Sequence, residues 1–176
     1  MRKLFVIRQA ILALCILCLA ACASTGNPVS LYGVQFNAIK DSPDIDVLDY
    51  AYGQNDKPFF GPSKVIRDQG KWTNNDNMTG YLPRGEFLYV KWRIKQSGEI
   101  LEDRVDLRTR LPMDLTNTRV RFVIHERHLY VFVEWDLVGQ RTGYQPAQDA
   151  YKPIPGGVKL FNGRRIQQIY PDPLPQ

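Results

Sequence analysis

The chain has 176 residues, of which 44% are hydrophobic and 23% are charged, and its formal net charge is +5. Three of the basic residues, Arg2, Lys3 and Arg8, precede a long apolar run, so the net charge falls to +2 once residues 1–21 are set aside. That small excess argues against a nucleic-acid-binding role. About 155 residues remain, which is enough for one domain with a sizeable core and leaves no room for a second of ordinary size.

The N-terminal segment has the pattern of a signal peptide. Its apolar run covers residues 10–21 and is far shorter than the roughly 20 helical residues needed to cross a bilayer, so a cleaved signal-peptide helix is predicted. Residues 19–22, Leu-Ala-Ala-Cys, resemble the lipobox of bacterial lipoproteins, in which the cysteine thiol receives a diacylglyceryl group. The alternative is an ordinary secretory peptide whose last cysteine is incidental.

This interpretation divides the chain into a signal peptide at 1–21, a lipidated tether at 22–29 and a folded domain at 30–176. Cys15 and Cys18 lie inside the signal peptide and Cys22 carries the lipid, so no thiol remains for a disulfide, a nucleophile or a zinc site. Two or three acyl chains on Cys22 would hold the protein on a membrane permanently. Ala23 stands where an aspartate would resemble an inner-membrane retention signal, which implies an outer-membrane anchor and a domain that faces the periplasm.

The first half of the domain contains two predicted strands and an irregular stretch. Residues 32–38 alternate between apolar and polar side chains, and residues 45–52 are rich in β-branched and aromatic types. Residues 53–85 contain several glycines and prolines and an asparagine-rich run at 74–77. This stretch predicts either a long loop or two short irregular strands.

Two β-hairpins are predicted in the second half. The first pairs residues 87–94 with 100–107, and the second pairs 120–124 with 129–135. Glycines and prolines then predict loops until a last strand at 165–170. Six or seven short strands without a long helical apolar stripe predict a mainly β protein, a single immunoglobulin-like β-sandwich domain with long irregular loops.

No catalytic, cofactor-binding or metal-binding motif is found. The two histidines, His125 and His128, fall in a predicted hairpin turn where their side chains are expected to diverge in solvent rather than to share a metal. The five serines after residue 22 lie outside any Gly-x-Ser-x-Gly motif, and adjacent carboxylates such as Glu102 and Asp103 point to opposite faces of a strand. We therefore expect a protein that is not an enzyme and needs no cofactor.

Aromatic residues in the predicted loops are expected to be exposed, and Trp, Tyr and Arg dominate the energetics of protein interfaces. Arginine pairs such as Arg164 and Arg165 could contact an acidic protein surface, lipid head groups or lipopolysaccharide phosphates, and salt bridges with the aspartates of the chain are the alternative. The candidate partner-binding residues are Phe59, Phe60, Trp72, Tyr144, Tyr151, Arg164 and Arg165.

Four segments resemble a group of small proteobacterial lipoproteins similar to those found beside type VI secretion effector genes. They are residues 85–108 (GEFLYVKWRIKQSGEILEDRVDLR), 111–115 (LPMDL), 120–124 (VRFVI) and 129–134 (LYVFVE), within a resemblance that covers roughly residues 31–172. Proteins of that kind act as immunity proteins against toxins active in the periplasm, such as phospholipases. The resemblance supplies no catalytic residues to match.

The predicted function is therefore that of an outer-membrane lipoprotein that binds a protein partner, with a secreted type VI toxin as the leading candidate. One alternative is a structural lipoprotein subunit of an envelope or secretion complex. Another is a binder of lipid or glycan in the envelope. The two hypotheses on protein partners differ in what deletion of the gene removes, which is self-protection in one case and secretion in the other.

Overall fold

A computed structural model describes residues 29–136, 148–161 and 163–175, and these residues form two β-sheets. The strands are β1 (Val29–Asn37), β2 (Ile45–Gln54), β3 (Lys57–Phe60), β4 (Asn75–Pro83), β5 (Phe87–Ile94), β6 (Ile100–Asp106), β7 (Thr118–His125), β8 (His128–Asp136), β9 (Val158–Phe161) and β10 (Arg164–Tyr170). Two short α-helices, α1 (Ala38–Asp41) and α2 (Lys64–Asp68), and two 3-10 helices (Gln148–Tyr151 and Pro155–Gly157) lie between them. None of the helices in these ranges is long and apolar enough to span a bilayer.

The sheets pack as a sandwich. One has six strands in the order β4-β1-β7-β8-β10-β9, and the other has four in the order β3-β2-β5-β6. All neighbouring strands are antiparallel except β1 and β7, which are parallel. The predicted mainly β sandwich is confirmed, and the finer immunoglobulin-like assignment stays a prediction.

The core forms where the alternating side chains of both sheets meet. Phe36 of β1, Tyr50 of β2 and Phe122 of β7 bring their rings together, with centroid separations of 4.5 Å for Phe36–Phe122 and 4.8 Å for Phe36–Tyr50. Each of these residues is at most 3% exposed. Aromatic pairs at such distances add favourable edge and stacking interactions to the burial of apolar surface.

Both predicted hairpins are present, as β5–β6 and β7–β8. In contrast, the structure has more strands than the six or seven predicted. Residues 53–85 contain β3, α2 and β4, which confirms the interpretation as two strands and shows that β4 is as long as β1. Strand β9 was expected to be loop, because its four residues lie among glycines and prolines and form a strand only through pairing with β10.

The two ends of the sandwich carry different features. At the N-terminal end, Val29 is paired with Pro83, and the backbone N–H of Asn117 donates to the Leu31 carbonyl at 2.9 Å. The far end combines α1, the β5–β6 turn and the β7–β8 turn around an open cleft of about 780 Å³. Strand β1 runs from the N-terminal end to the far end, so the chain enters the domain opposite this cleft.

Candidate functional site

The six-stranded sheet extends beyond the cover of the four-stranded sheet at its β9 edge. One register row across the inner face runs through Val34, Val120, Val133, Gln167 and Val158. The first three valines are at most 1% exposed, Gln167 is half-buried, and Val158 is 45% exposed. The opposite sheet therefore stops covering this face near β10, and β9 presents its inner side to solvent.

The neighbouring row places an aromatic ring, an arginine and an exposed leucine side by side. Leu160 is paired with Arg165, which is paired with Trp135. The Arg165 guanidinium carbon lies 4.8 Å from the centroid of the Trp135 ring, and Leu160 is 70% exposed. Together with Val158 these three residues form a surface that we call the β9 ledge.

The β9 ledge combines two features that suit protein recognition. Within the described ranges β9 pairs only with β10, so its outer edge presents backbone N–H and C=O groups to which an extended segment can add as a further strand. Beside this edge the Arg165–Trp135 stack supplies two of the residue types that contribute most to binding free energy, and the two aliphatic side chains add apolar surface for a partner to bury.

Among the predicted loop aromatics, exposure differs strongly. Trp72 is 46% exposed, as expected, and the Arg93 guanidinium carbon lies 4.9 Å from its ring centroid. Phe59 is half-buried against Tyr52. Phe60 was predicted to be exposed, and this was wrong. It is the last residue of β3, and its side chain points into the core, where its ring centroid lies 5.3 Å from that of Tyr50.

Tyr151 and Arg164 were also expected to be exposed, and both are buried in a cluster of charges on the outer face of the six-stranded sheet. The cluster consists of Asp41, Arg121, Glu134, Tyr151 and Arg164. Arg121 Nε donates to an Asp41 carboxylate oxygen at 3.1 Å, and Arg164 Nη1 donates to Glu134 at 3.3 Å. The Tyr151 hydroxyl donates to the other oxygen of Glu134. The predicted exposure was wrong because the 3-10 helix that contains Tyr151 packs against this face of the sheet and because Arg164 is bound to Glu134 there.

Electrostatics within the charged cluster favour a fixed set of protonation states. Burial raises the pKa of Tyr151, and the carboxylate of Glu134 raises it further, so the hydroxyl stays protonated and donates. Burial alone would lower the pKa of Arg121, but the carboxylates of Asp41 and Glu134 raise it overall. The Arg121 guanidinium also lies 4.2 Å from the Tyr151 ring. These contacts attach the 3-10 helix to the sheet and leave little surface for a partner.

The two histidines differ from the expected arrangement. His125 and His128 face each other as the last pair of the β7–β8 hairpin, so their side chains lie on the same side of the sheet rather than diverging. Both are exposed. Within the described ranges, no group of three or more His, Cys, Asp or Glu side chains is arranged to hold a metal ion.

Two predicted site residues, Cys22 and Tyr144, lie outside the described residues. Of the rest, only Arg165 belongs to the β9 ledge, and Trp72 is a separate exposed position in the loop before β4, where it stacks on Arg93 of β5. Val158, Leu160 and Trp135 were not predicted to form a group. The alternation of Val158 and Leu160 with Lys159 and Phe161 could have indicated a short edge strand, although the strand that pairs with it is known only from the fold.

Comparison of the chain with protein-family models, with curated proteins and with solved structures finds no significant match.

Proposed function

We propose that this protein is an outer-membrane lipoprotein whose domain faces the periplasm and binds a secreted protein toxin, which it neutralises. The observation that supports binding of a protein is the β9 ledge, where an exposed edge strand lies beside the Arg165–Trp135 stack. The lipobox-like residues 19–22 support the anchor, and the resemblance to immunity lipoproteins supports the choice of a toxin as partner.

The mode of binding that fits the ledge is addition of a strand. A toxin segment pairing with β9 would gain backbone hydrogen bonds, and its alternate side chains would contact Val158 and Leu160 on one face. A stable interface buries about 1,600 Å² in total, so the four-residue edge serves as its centre rather than its whole extent. Neutralisation then follows when the bound domain blocks access of the toxin to its substrate.

The anchor leads to a direct prediction. Cells expressing the wild-type chain and fed labelled palmitate should incorporate the label, and the Cys22→Ser variant should not, because the thiol is the site of acylation. The measurement is autoradiography of the immunoprecipitated protein. A wild-type protein without label, or a Cys22→Ser protein that keeps it, would contradict the anchor.

The ledge leads to a second prediction. A deletion strain should lose protection against neighbouring sister cells with active type VI secretion, and a gene copy with Leu160→Asp should fail to restore it. A charge placed at the centre of an interface costs about 2 kcal/mol or more, which corresponds to about 30-fold weaker binding. Survival in co-culture is the measurement.

Val65→Asp is the matched control for this experiment. Val65 is 62% exposed, lies in α2 and is remote from β9, so the variant should protect like the wild type. Full protection by Leu160→Asp would exclude the ledge as the binding surface. A deletion strain that loses secretion instead of protection would favour the structural-subunit alternative.

A further inference from the structure

A second exposed apolar surface lies at the opposite edge of the six-stranded sheet. The outward positions of β1 and β4 near the N-terminal end are paired as Val29 with Pro83 and Leu31 with Tyr81. Tyr81 is 77% exposed and Val29 is 61% exposed. We call these four residues the Tyr81 patch.

The residues of the Tyr81 patch carry no charge. Arg119 of β7 borders the patch, since it is paired with Gly33 and its Cγ would lie 3.7 Å from a Cβ at that glycine. The next outward pair towards the far end is Gly33 with Thr79, so none of these three successive cross-strand pairs contains a charged side chain. Even-numbered neighbours such as Tyr32 and Leu82 point inward to the core. The patch is therefore a continuous, uncharged area on the outer face of a sheet rather than a set of scattered residues.

The position of the proposed lipid determines what this patch faces. Val29 follows Cys22 by seven residues, and a fully extended chain of that length spans about 25 Å at most. An acylated Cys22 lies at the bilayer surface, so the tether holds Val29 and its neighbours within that distance of the lipid head groups. Of the two ends of the sandwich, the N-terminal end is the one brought to the membrane.

We propose that the Tyr81 patch rests on the surface of the bilayer that holds the Cys22 lipid, an inference that depends on the proposed anchor. Tyrosine suits this location, since its ring enters the apolar part of the interface while its hydroxyl stays among polar head groups. The aliphatic side chains of Val29 and Leu31 add apolar area to the contact.

Docking at this patch also orients the partner-binding surface. Strands β4 and β9 form the two edges of the six-stranded sheet, which at about 4.8 Å per strand are separated by roughly 24 Å. The Tyr81 patch lies on the outer face of this sheet and the side chains of the β9 ledge lie on its inner face, so with the patch on the bilayer the ledge faces away into the periplasm. The membrane contact thereby leaves the β9 edge accessible to a protein that arrives from the periplasm.

Fluorescence quenching measured at a series of labelled positions along β4 tests this inference. Asn77, Thr79 and Tyr81 are exposed outward positions that are successively about 7 Å apart, and each is replaced in turn by cysteine in the full chain. The lipidated protein is purified, labelled with an environment-sensitive fluorophore and reconstituted into vesicles of phosphatidylethanolamine and phosphatidylglycerol. Cys22 does not react with the label because its sulfur carries the lipid.

Quenching by lipids with a nitroxide on the acyl chain should be strongest at 81, weaker at 79 and several-fold weaker at 77. A label at Gln96→Cys, in the exposed β5–β6 turn of the far end, should respond only to a water-soluble quencher. In the Thr79→Cys protein, a second change of Tyr81→Ser should reduce lipid quenching at 79, because the side chain that inserts has been removed.

The outcomes separate this inference from the anchor. Protein that floats with the vesicles but shows equal, low lipid quenching at 77, 79, 81 and 96 overturns the membrane contact and leaves the anchor intact. Protein that does not float with the vesicles overturns both. A label at 81 could also be protected from the water-soluble quencher, increasingly so as more protein is added per vesicle, without any quenching by the lipid nitroxide. That result would assign the patch to a second copy of the chain and would also overturn the inference.

Discussion

Replacing Arg121 by methionine should lower the free energy of unfolding by about 3–5 kcal/mol, because the change leaves the buried carboxylate of Asp41 without its counter-charge. The Asp41 side chain is 4% exposed, and Arg121 approaches it with both Nε and Nη2. Methionine preserves much of the volume of arginine, so the loss comes from charge and hydrogen bonding rather than from a cavity. Urea denaturation of the purified protein is the measurement.

Arg127→Met is the matched control for that prediction. Arg127 forms an ion pair with Glu99 at 2.7 Å, but its side chain is 64% exposed and the pair lies in solvent at the far end. Exposed pairs contribute about 0–1 kcal/mol, so this variant should unfold close to the wild-type midpoint. If Arg121→Met were as stable as Arg127→Met, the charged cluster would have no role in attaching the 3-10 helix to the sheet.

A strand was predictable where apolar and polar residues alternate along the sequence and the apolar ones are buried in the core. The β5–β6 and β7–β8 hairpins need only short-range pairing, and their inward positions are apolar except at Asp103 of β6 and Thr118 of β7. Strand β9 has four residues and gains its register only from β10. The sequence contains no local pattern that gives the position of an edge strand in the sheet, because strand order depends on long-range packing.

The candidate site was less predictable than the fold for a related reason. Loop position and residue type indicated Tyr151 and Arg164 as exposed, yet both satisfy their polar groups on Glu134, which lies in a different strand. A buried carboxylate can turn a neighbouring arginine and tyrosine inward, since each polar group must find a partner once water is excluded. Arg165, the next residue, faces the other side of the sheet and remains available at the β9 ledge.

The hydroxyl groups of Tyr32 and Tyr52 form a hydrogen-bonded junction at the end of the core where the chain enters the domain. Gly85 N donates to the Tyr52 hydroxyl at 3.1 Å, the hydroxyls of Tyr52 and Tyr32 lie 2.9 Å apart, and Tyr32 donates to the Pro83 carbonyl at 2.7 Å. Tyr52 is fully buried, and burial raises its pKa well above the usual value, so its hydroxyl stays neutral. The junction links β1, β2 and the segment after β4, directly beneath the Tyr81 patch.

Gly85→Ala should therefore be strongly destabilising, because a Cβ at this position would lie 2.2 Å from Tyr52 Cζ and 2.5 Å from its hydroxyl oxygen. The ring must move, which costs about 1–3 kcal/mol in overpacking and about as much again for the buried hydroxyls that lose their partners. Gly80→Ala in β4 is the control, since a Cβ there meets no atom within 4 Å and should leave the thermal midpoint nearly unchanged. Equal midpoints for the two variants would show that the junction adapts to a methyl group and that its hydrogen bonds do not determine how the chain joins the sandwich.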